Sequence, residues 1–190
     1  MALNPLPAAL QAICTPRHFA AGDWLLRAGE KAEWSFIITE GLVRELYVSD
    51  SGEEHTRSFL GAGQATGSML DLLSGEPAVT WIQALEPTQT IAFRYAEFDA
   101  LSRKHPELAA LARQNAEQLA VRKTRREYEM LALTAAQRYH RWLEQNAALD
   151  ARISRRLLAS YLGVTPEHLS RLSRSSSKSA PRAARTRRRG

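Results

Sequence analysis

The sequence predicts an α+β chain: an antiparallel β-roll of double-sheet, jelly-roll-like form, a long connecting helix, and a small helical helix-turn-helix domain. Three observations carry that reading. Eight of the ten glycines lie between Gly22 and Gly75 and cut the front of the chain into short strand-like runs. From Pro106 the pattern turns helical, and no further glycine or proline occurs before Gly163. Around that glycine, Ala159, Gly163 and Leu169 set a small residue, a turn residue and an apolar residue at helix-turn-helix spacing. The expected divisions are residues 1–105 for the roll, 106–132 for the connecting helix, 133–174 for the helix-turn-helix and 175–190 for a basic, disordered tail.

The strand runs of the front half include Trp24-Leu25-Leu26, Trp34-Ser35-Phe36-Ile37-Ile38 and Leu42-Val43-Arg44-Glu45-Leu46-Tyr47-Val48. Ser49-Asp50-Ser51-Gly52 reads as a hairpin tip. Strands resume over Val79–Leu85 and Thr90–Tyr95, with a turn at Glu86-Pro87-Thr88. Short strands at roughly ten-residue spacing mean a barrel or double-sheet roll. Trp24, Trp34 and Trp81 fall inside strand runs and are expected in the core. Gly61-x-Gly63-x-x-x-Gly67 has the wrong spacing for a dinucleotide fingerprint and reads as turns.

Pro106 suits the first turn of the connecting helix, where a missing N–H costs nothing. Leu108, Leu111, Ala112, Ala116 and Leu119 make one apolar stripe, interrupted afterwards by Arg122, Lys123, Arg125 and Arg126. The stripe fits either packing on the roll or pairing with a second copy; it is too short to read as a coiled coil alone. A second helix runs from a Thr134 cap to about Gln145, with Tyr139, Trp142 and Leu143 as its core face.

The next helix is capped by Ser154 and buries Leu158, Ala159 and Leu162. Gly163 ends it in a left-handed turn, and Val164 fills the corner. Thr165 caps the last helix, Pro166 occupies its first turn, and Leu169 and Leu172 face back. Glu167, His168, Ser170 and Arg171 are then expected to face outward. A carboxylate there accepts from cytosine N4, and a guanidinium pairs with guanine O6 and N7. The alternative is an ordinary helical hairpin with a solvated face; cap, turn, packing and readout chemistry together favour DNA. Thr165, Arg155 and Arg156 are candidate phosphate clamps, and His168 a further candidate for a base edge. The last helix is expected to fray after Arg174, into a serine-rich stretch of disordered composition.

The net charge of +6 is concentrated at the end of the chain. From Arg174 to Gly190 there are seven basic residues and no acidic one, which leaves 19 basic against 20 acidic in the rest. The body is thus near neutral, and the tail adds sequence-independent attraction for polyanions.

Glu167-His168-Leu169-Ser170-Arg171 resembles the Glu-x-x-Ser-Arg reading motif of the Fnr-type branch of the Crp/Fnr superfamily of bacterial transcription regulators. The front half resembles the cyclic-nucleotide-binding roll of the same superfamily over roughly Phe19 to Phe98. The matching pieces, in order, are Ala21-Gly22-Asp23, Arg27-Ala28-Gly29-Glu30, Ile38-Thr39-Glu40-Gly41, Gly61-Ala62-Gly63 and Ala84-Leu85-Glu86. The resemblance implies that Glu167, Ser170 and Arg171 contact base edges or adjacent phosphates of a TTGA-like half-site. It further implies a homodimer paired through the connecting helix, a palindromic double-stranded DNA site, and RNA polymerase as a partner. Members of the family close the domain with a β-hairpin wing, and no strand-like sequence follows Leu172 here.

Cyclic-AMP binders of the family carry Gly-Glu at the start of a short helix and Arg-Ser about ten residues later. By alignment around Gly67 and Trp81, Ser68 replaces the glutamate, Ala78 the arginine and Val79 the serine. A cyclic phosphate without its guanidinium loses a charge-assisted pair worth roughly 1.5–3 kcal/mol. The cassette at Gly67, Ser68, Ala78 and Val79 is therefore not expected to respond to cyclic AMP; it takes another ligand or none.

Cys14 is the only cysteine, so neither an internal disulfide nor a cysteine-ligated iron–sulfur cluster forms within one chain. His18, His55, His105, His140 and His168 lack metal-ligand spacing. No nucleophile elbow, P-loop or zinc-protease motif occurs, so neither an enzyme nor a cofactor is expected. No secretory signal or bilayer-length apolar run is present, which points to the cytoplasm. The rival reading is a ligand-sensing or dimerisation module of the same fold that has lost specific DNA binding.

Overall fold

The computed structural model describes residues 6–179, with side chains as far as Ser175. The chain divides into two compact units, residues 1–128 and 129–190.

In the first unit, a short helix α1 (Ala8–Gln11) precedes eight strands: β1 (Thr15–Phe19), β2 (Trp24–Leu26), β3 (Trp34–Glu40), β4 (Leu42–Val48), β5 (Glu54–Gly61), β6 (Ala65–Thr66), β7 (Trp81–Ala84) and β8 (Thr88–Arg94). Helix α2 (Met69–Ser74) lies between β6 and β7, and α3 (Tyr95–Ser102) follows β8. The strands form two antiparallel four-stranded sheets, ordered β1-β8-β3-β6 and β2-β7-β4-β5. Consecutive strands thus change sheet at every step except the β4–β5 hairpin, and apolar residues from both inner faces meet, among them Leu26, Ile38, Val43, Leu60 and Ile82. The β4–β5 tip closes as expected, with Gly52 N–H donating to the Ser49 carbonyl at 2.8 Å. Gly41 connects β3 to β4 at φ +100°, and a Cβ there would stand 2.7 Å from the Pro87 carbonyl oxygen. Only glycine fits that crossing.

The tryptophans depart from expectation. Trp24 and Trp81 are half-buried and stack edge-to-face at 5.0 Å. Trp34, also half-buried, has the guanidinium groups of Arg17 and Arg94 over its ring, at 4.9 and 4.8 Å. On β7 the alternation turns Ile82 and Ala84 inward and so leaves Trp81 on the opposite face.

Helix α4 (Pro106–Ala132) begins at Pro106 as expected. Leu108 is fully buried, and Leu111 and Ala112 pack with it against Leu10, Ile37, Phe93 and Phe98. The front of the apolar stripe is therefore taken up by the chain's own roll. Ala116 is exposed and Leu119 half-buried.

The second unit takes up the end of α4, then α5 (Ala135–Asp150), α6 (Arg155–Leu162) and α7 (Pro166–Ser179). Thr134 caps α5 in a reciprocal capping box with Gln137. Tyr139 and Trp142 are buried, and Leu143 is half-buried. The helix outlasts its expected end near Gln145, continuing to Asp150 through one irregular residue, Asn146 at φ −132° and ψ 29°. Helix α7 likewise runs past Arg174 to Ser179, so the stretch expected to be disordered is helical for another turn. The serines stay within the helix by bonding back to its carbonyls: Ser173 Oγ to Ser170 at 3.0 Å and Ser175 Oγ to Leu172 at 2.8 Å. The remainder of the expected basic tail, residues 180–190, lies outside the described residues.

Candidate nucleic-acid interface

The helix pair is built from its caps inward. Ser154 Oγ accepts from Leu157 N–H at 3.3 Å and starts α6, whose Leu158, Ala159 and Leu162 are each 1% exposed. Gly163 adopts φ +66°, ψ 42°, and its left-handed turn lets Val164 N–H reach the Ala159 carbonyl at 3.0 Å. Thr165 Oγ1 then accepts from His168 N–H at 3.2 Å and starts α7. Leu169 is buried against the first helix, and Leu172 is half-buried.

This packing turns the opposite side of α7 to solvent. Pro166, Glu167, Ser170, Arg171 and Arg174 line one open groove along it. Glu167, Ser170 and Arg171, named from sequence, are thus brought together on one exposed face. His168 is not: it is half-buried and stands outside the groove, because its position rotates it toward the α6 side. Arg174 joins the face without having been named. Its spacing was legible, one turn beyond Ser170 and Arg171, but the expected fraying hid it. The Glu167 carboxyl is held below the ordinary carboxylate range, first by its own backbone N–H, next by the Thr165 hydroxyl, and to a lesser degree by the Arg171 charge. It is an ionised acceptor at neutral pH.

The three expected phosphate clamps differ in setting. Thr165 and Arg156 are exposed. Arg155 is exposed too, yet its guanidinium lies 3.4 Å from Asp150 Oδ1, which also accepts from Trp142 Nε1 at 3.0 Å. Arg155 is thereby partly committed to its own unit.

The cassette of the roll holds different chemistry. Gly67 and Ser68 precede α2, and Ser68 and Ala78 are buried while Val79 is 51% exposed. Ser68 donates its hydroxyl proton to Asp71, and Val79 N–H donates to the same oxygen at 3.1 Å. Asp71 was not named from sequence: a lone aspartate in a helix normally faces solvent. A second carboxylate, Glu45 on β4, accepts from Thr66 Oγ1 at 2.8 Å and Ser58 Oγ at 2.6 Å, with Arg57 at 3.3 Å. Among the described residues no group of histidine, cysteine and carboxylate side chains is placed to hold a metal ion. Burial pushes the Cys14 thiol up, away from thiolate character.

A double-sheet roll, a long helix and a capped helix-turn-helix, in that order, are the elements of the Crp/Fnr-type fold. Residues 16–105 match the cyclic nucleotide-binding domain. The chain is 27% identical over 169 residues to the fumarate and nitrate reduction regulatory protein of Vibrio cholerae, covering 80% of this chain and 64% of that one. It is 28% identical over 95 residues to the cAMP-activated global transcriptional regulator CRP of Pasteurella multocida, covering 50% and 46%. The chain therefore spans less than two thirds of these relatives. Among solved structures, FixK2 of Bradyrhizobium japonicum aligns with a TM-score of 0.75 at 18% identity over 87% of this chain and 85% of that one. The c-di-GMP-responsive regulator CLP of Xanthomonas campestris aligns at 0.74, also 18% identical, over 90% and 89%. The chain has the Crp/Fnr-type fold, and its residues 16–105 form the cyclic nucleotide-binding-type domain of that fold. No helix among the described residues is long and apolar enough to cross a membrane.

Proposed function

We propose that the chain is a sequence-specific DNA-binding transcription regulator of Crp/Fnr type that does not respond to cyclic AMP. One observation carries the reading: Glu167, Ser170 and Arg171 share an exposed groove on α7 while Leu169 anchors the same helix from behind. A carboxylate, a hydroxyl and a guanidinium on one helix face suit the edges of C·G pairs and the flanking phosphates of a major groove. The relatives, by name a regulatory protein and a transcriptional regulator, support the same class.

The regulator acts as a homodimer on a palindrome, its two reading helices about one DNA turn apart. Exposed Val121 and Tyr128, seven residues apart on α4, supply apolar surface for pairing beyond the part that packs on the roll. It works in the cytoplasm, with RNA polymerase as its partner. Arg155, Arg156 and Thr165 clamp phosphates.

Selection of bound duplexes from a random pool by the purified chain tests this. A palindromic consensus is the expected outcome. Binding with no consensus, or none at all, would instead leave a roll-bearing dimerisation or sensing module that has lost specific recognition.

A further inference from the structure

We infer that the effector cassette is closed from within: the Asp71 carboxylate occupies the place of an anionic ligand, and the roll holds one cassette state without a cyclic nucleotide. The inference rests on the reading of a roll that does not respond to cyclic AMP and on the geometry of its cassette, and it is independent of the DNA-binding reading.

The elements of the cassette converge on one atom. Asp71 Oδ2 takes the Ser68 hydroxyl proton and the Val79 N–H, joining the start of α2 to the strand-entry loop eight residues further on. Thr80 Oγ1 lies 3.0 Å from Ser68 Oγ. A hydroxyl has one proton, so Thr80 supplies the one between them and the relay ends satisfied. Ser68, Asp71 and Thr80 are each 2% exposed. The loop itself is pinned by Ala78, whose N–H donates to Glu30 at 2.8 Å and whose carbonyl accepts from Gly29 at 2.7 Å.

A hydroxyl and a backbone N–H from these two elements are the kind of donors that would cradle an anion from outside. Here an internal carboxylate already uses them. Position 78, where the family resemblance places an arginine, is a buried alanine, and among the described residues none of the hydrogen-bond partners of Asp71 is a cation. Glu45, a second buried carboxylate, bridges the two sheets through Ser58 and Thr66, but its charge is paired with Arg57 at 3.3 Å. A cyclic phosphate at the cassette would therefore meet the like charge of Asp71 in a low-dielectric interior, without its guanidinium. The residues present do not fit a cyclic nucleotide.

Helix α2 shows why the carboxylate matters. It is six residues long, with Leu70 and Leu73 64% and 66% exposed, so Asp71 and half-buried Leu72 are its inward anchors. So short a helix does not hold itself.

The test uses the full chain in thermal denaturation. The wild type is expected to show no shift with cyclic AMP, cyclic GMP or inorganic phosphate. Asp71→Ala should lower Tm by about 5 °C, because the Ser68 hydroxyl and Val79 N–H lose their acceptor. Sodium formate, a free carboxylate small enough to refill the hole, should restore part of that loss, where sodium chloride at equal ionic strength does not. A saturable rise of the wild-type Tm with either cyclic nucleotide overturns the inference, as does an Asp71→Ala variant that matches the wild type or responds equally to both salts. If Asp71→Ala does not fold, Asp71→Asn keeps the shape and one acceptor oxygen. It should fold at reduced Tm, and equal stability with the wild type would refute the role of the charge.

Discussion

Arg138 on α5 donates from Nε to the carbonyl of Leu162, the last residue of α6, at 3.0 Å. Its Nη1 donates to the Leu133 carbonyl at 2.7 Å. One guanidinium thus satisfies carbonyls at the C-terminal ends of two helices, α6 and α4, where the helix dipole favours a cation. Charge-assisted bonds to part-buried carbonyls are worth about 1.5–3 kcal/mol each before solvent competition. Arg138→Met should therefore destabilise the chain by about 2 kcal/mol, read as a lower urea midpoint in the helical circular dichroism signal. Arg138→Lys, with a single point charge, should recover less than half. Full stability in Arg138→Met would show that water replaces the clamp.

Gly163 sets the angle of the reading helix, and two effects oppose substitution there. The first is backbone: alanine at φ +66° costs about 1–2 kcal/mol. The second is contact: a Cβ would stand 2.9 Å from Met130 Cε, the far end of a flexible side chain that can move aside. The backbone effect should dominate. Gly163→Ala is expected to lose about 1–2 kcal/mol in urea denaturation, and Gly163→Asn less, since asparagine tolerates the left-handed region. If Met130→Ala rescued Gly163→Ala fully, contact rather than φ would be the cause.

These two residues mark what could be read from the chain. Ser154, Gly163, Thr165 and Pro166 act on neighbours within four residues, so caps and turn were legible and the groove of α7 with them. Glycine punctuation likewise located the roll, and β2 and β4 fall on the runs named for them. The partners of Arg138, Glu45 and Asp71 lie outside their own helix or strand. Asp71 accepts a hydrogen bond from a residue three positions earlier, but its burial depends on Val79 and Thr80 arriving from the far side of a loop. A lone carboxylate in a six-residue helix carries no local sign of that. Ser173 to Ser179 failed for the opposite reason: composition argued disorder, while an established helix with no glycine or proline simply propagates.

The Glu167 carboxyl supplies a pH prediction. Its folded pKa is lowered, so its contribution is complete above the ordinary carboxylate value and disappears as pH falls through the lowered folded value. A carboxyl 13C titration should place its midpoint below that of a glutamate in an unstructured peptide. The Thr165 hydroxyl ranks ahead of the Arg171 charge among the causes. Thr165→Val should therefore raise the midpoint more than Arg171→Ala does. The reverse order would mean that the groove, not the cap, sets its acidity.

Residues 180–190 carry five arginines and no acid. Each one that contacts a phosphate steepens the salt dependence of binding by about 0.9 in log–log slope. Removing these residues should flatten that slope in a titration against duplex DNA and leave the selected consensus unchanged. A lost consensus with an unchanged slope would move recognition from α7 to the tail.

Arg171→Ala separates reading from clamping on α7 itself. If the guanidinium pairs with guanine O6 and N7, its loss costs about 1–3 kcal/mol on the preferred site and little on a site changed at that base pair. Selectivity at one position of each half-site should then collapse while the others hold. A phosphate clamp behaves otherwise: every sequence weakens alike, and the salt slope falls by about one. Arg174→Ala is the internal comparison, because that side chain shares the groove but lies a turn further along, with Nε 3.3 Å from the Ser170 carbonyl. It should show the uniform pattern where Arg171→Ala shows the positional one. Uniform weakening in both variants would reduce α7 to a phosphate-binding rod and remove the basis for sequence-specific regulation.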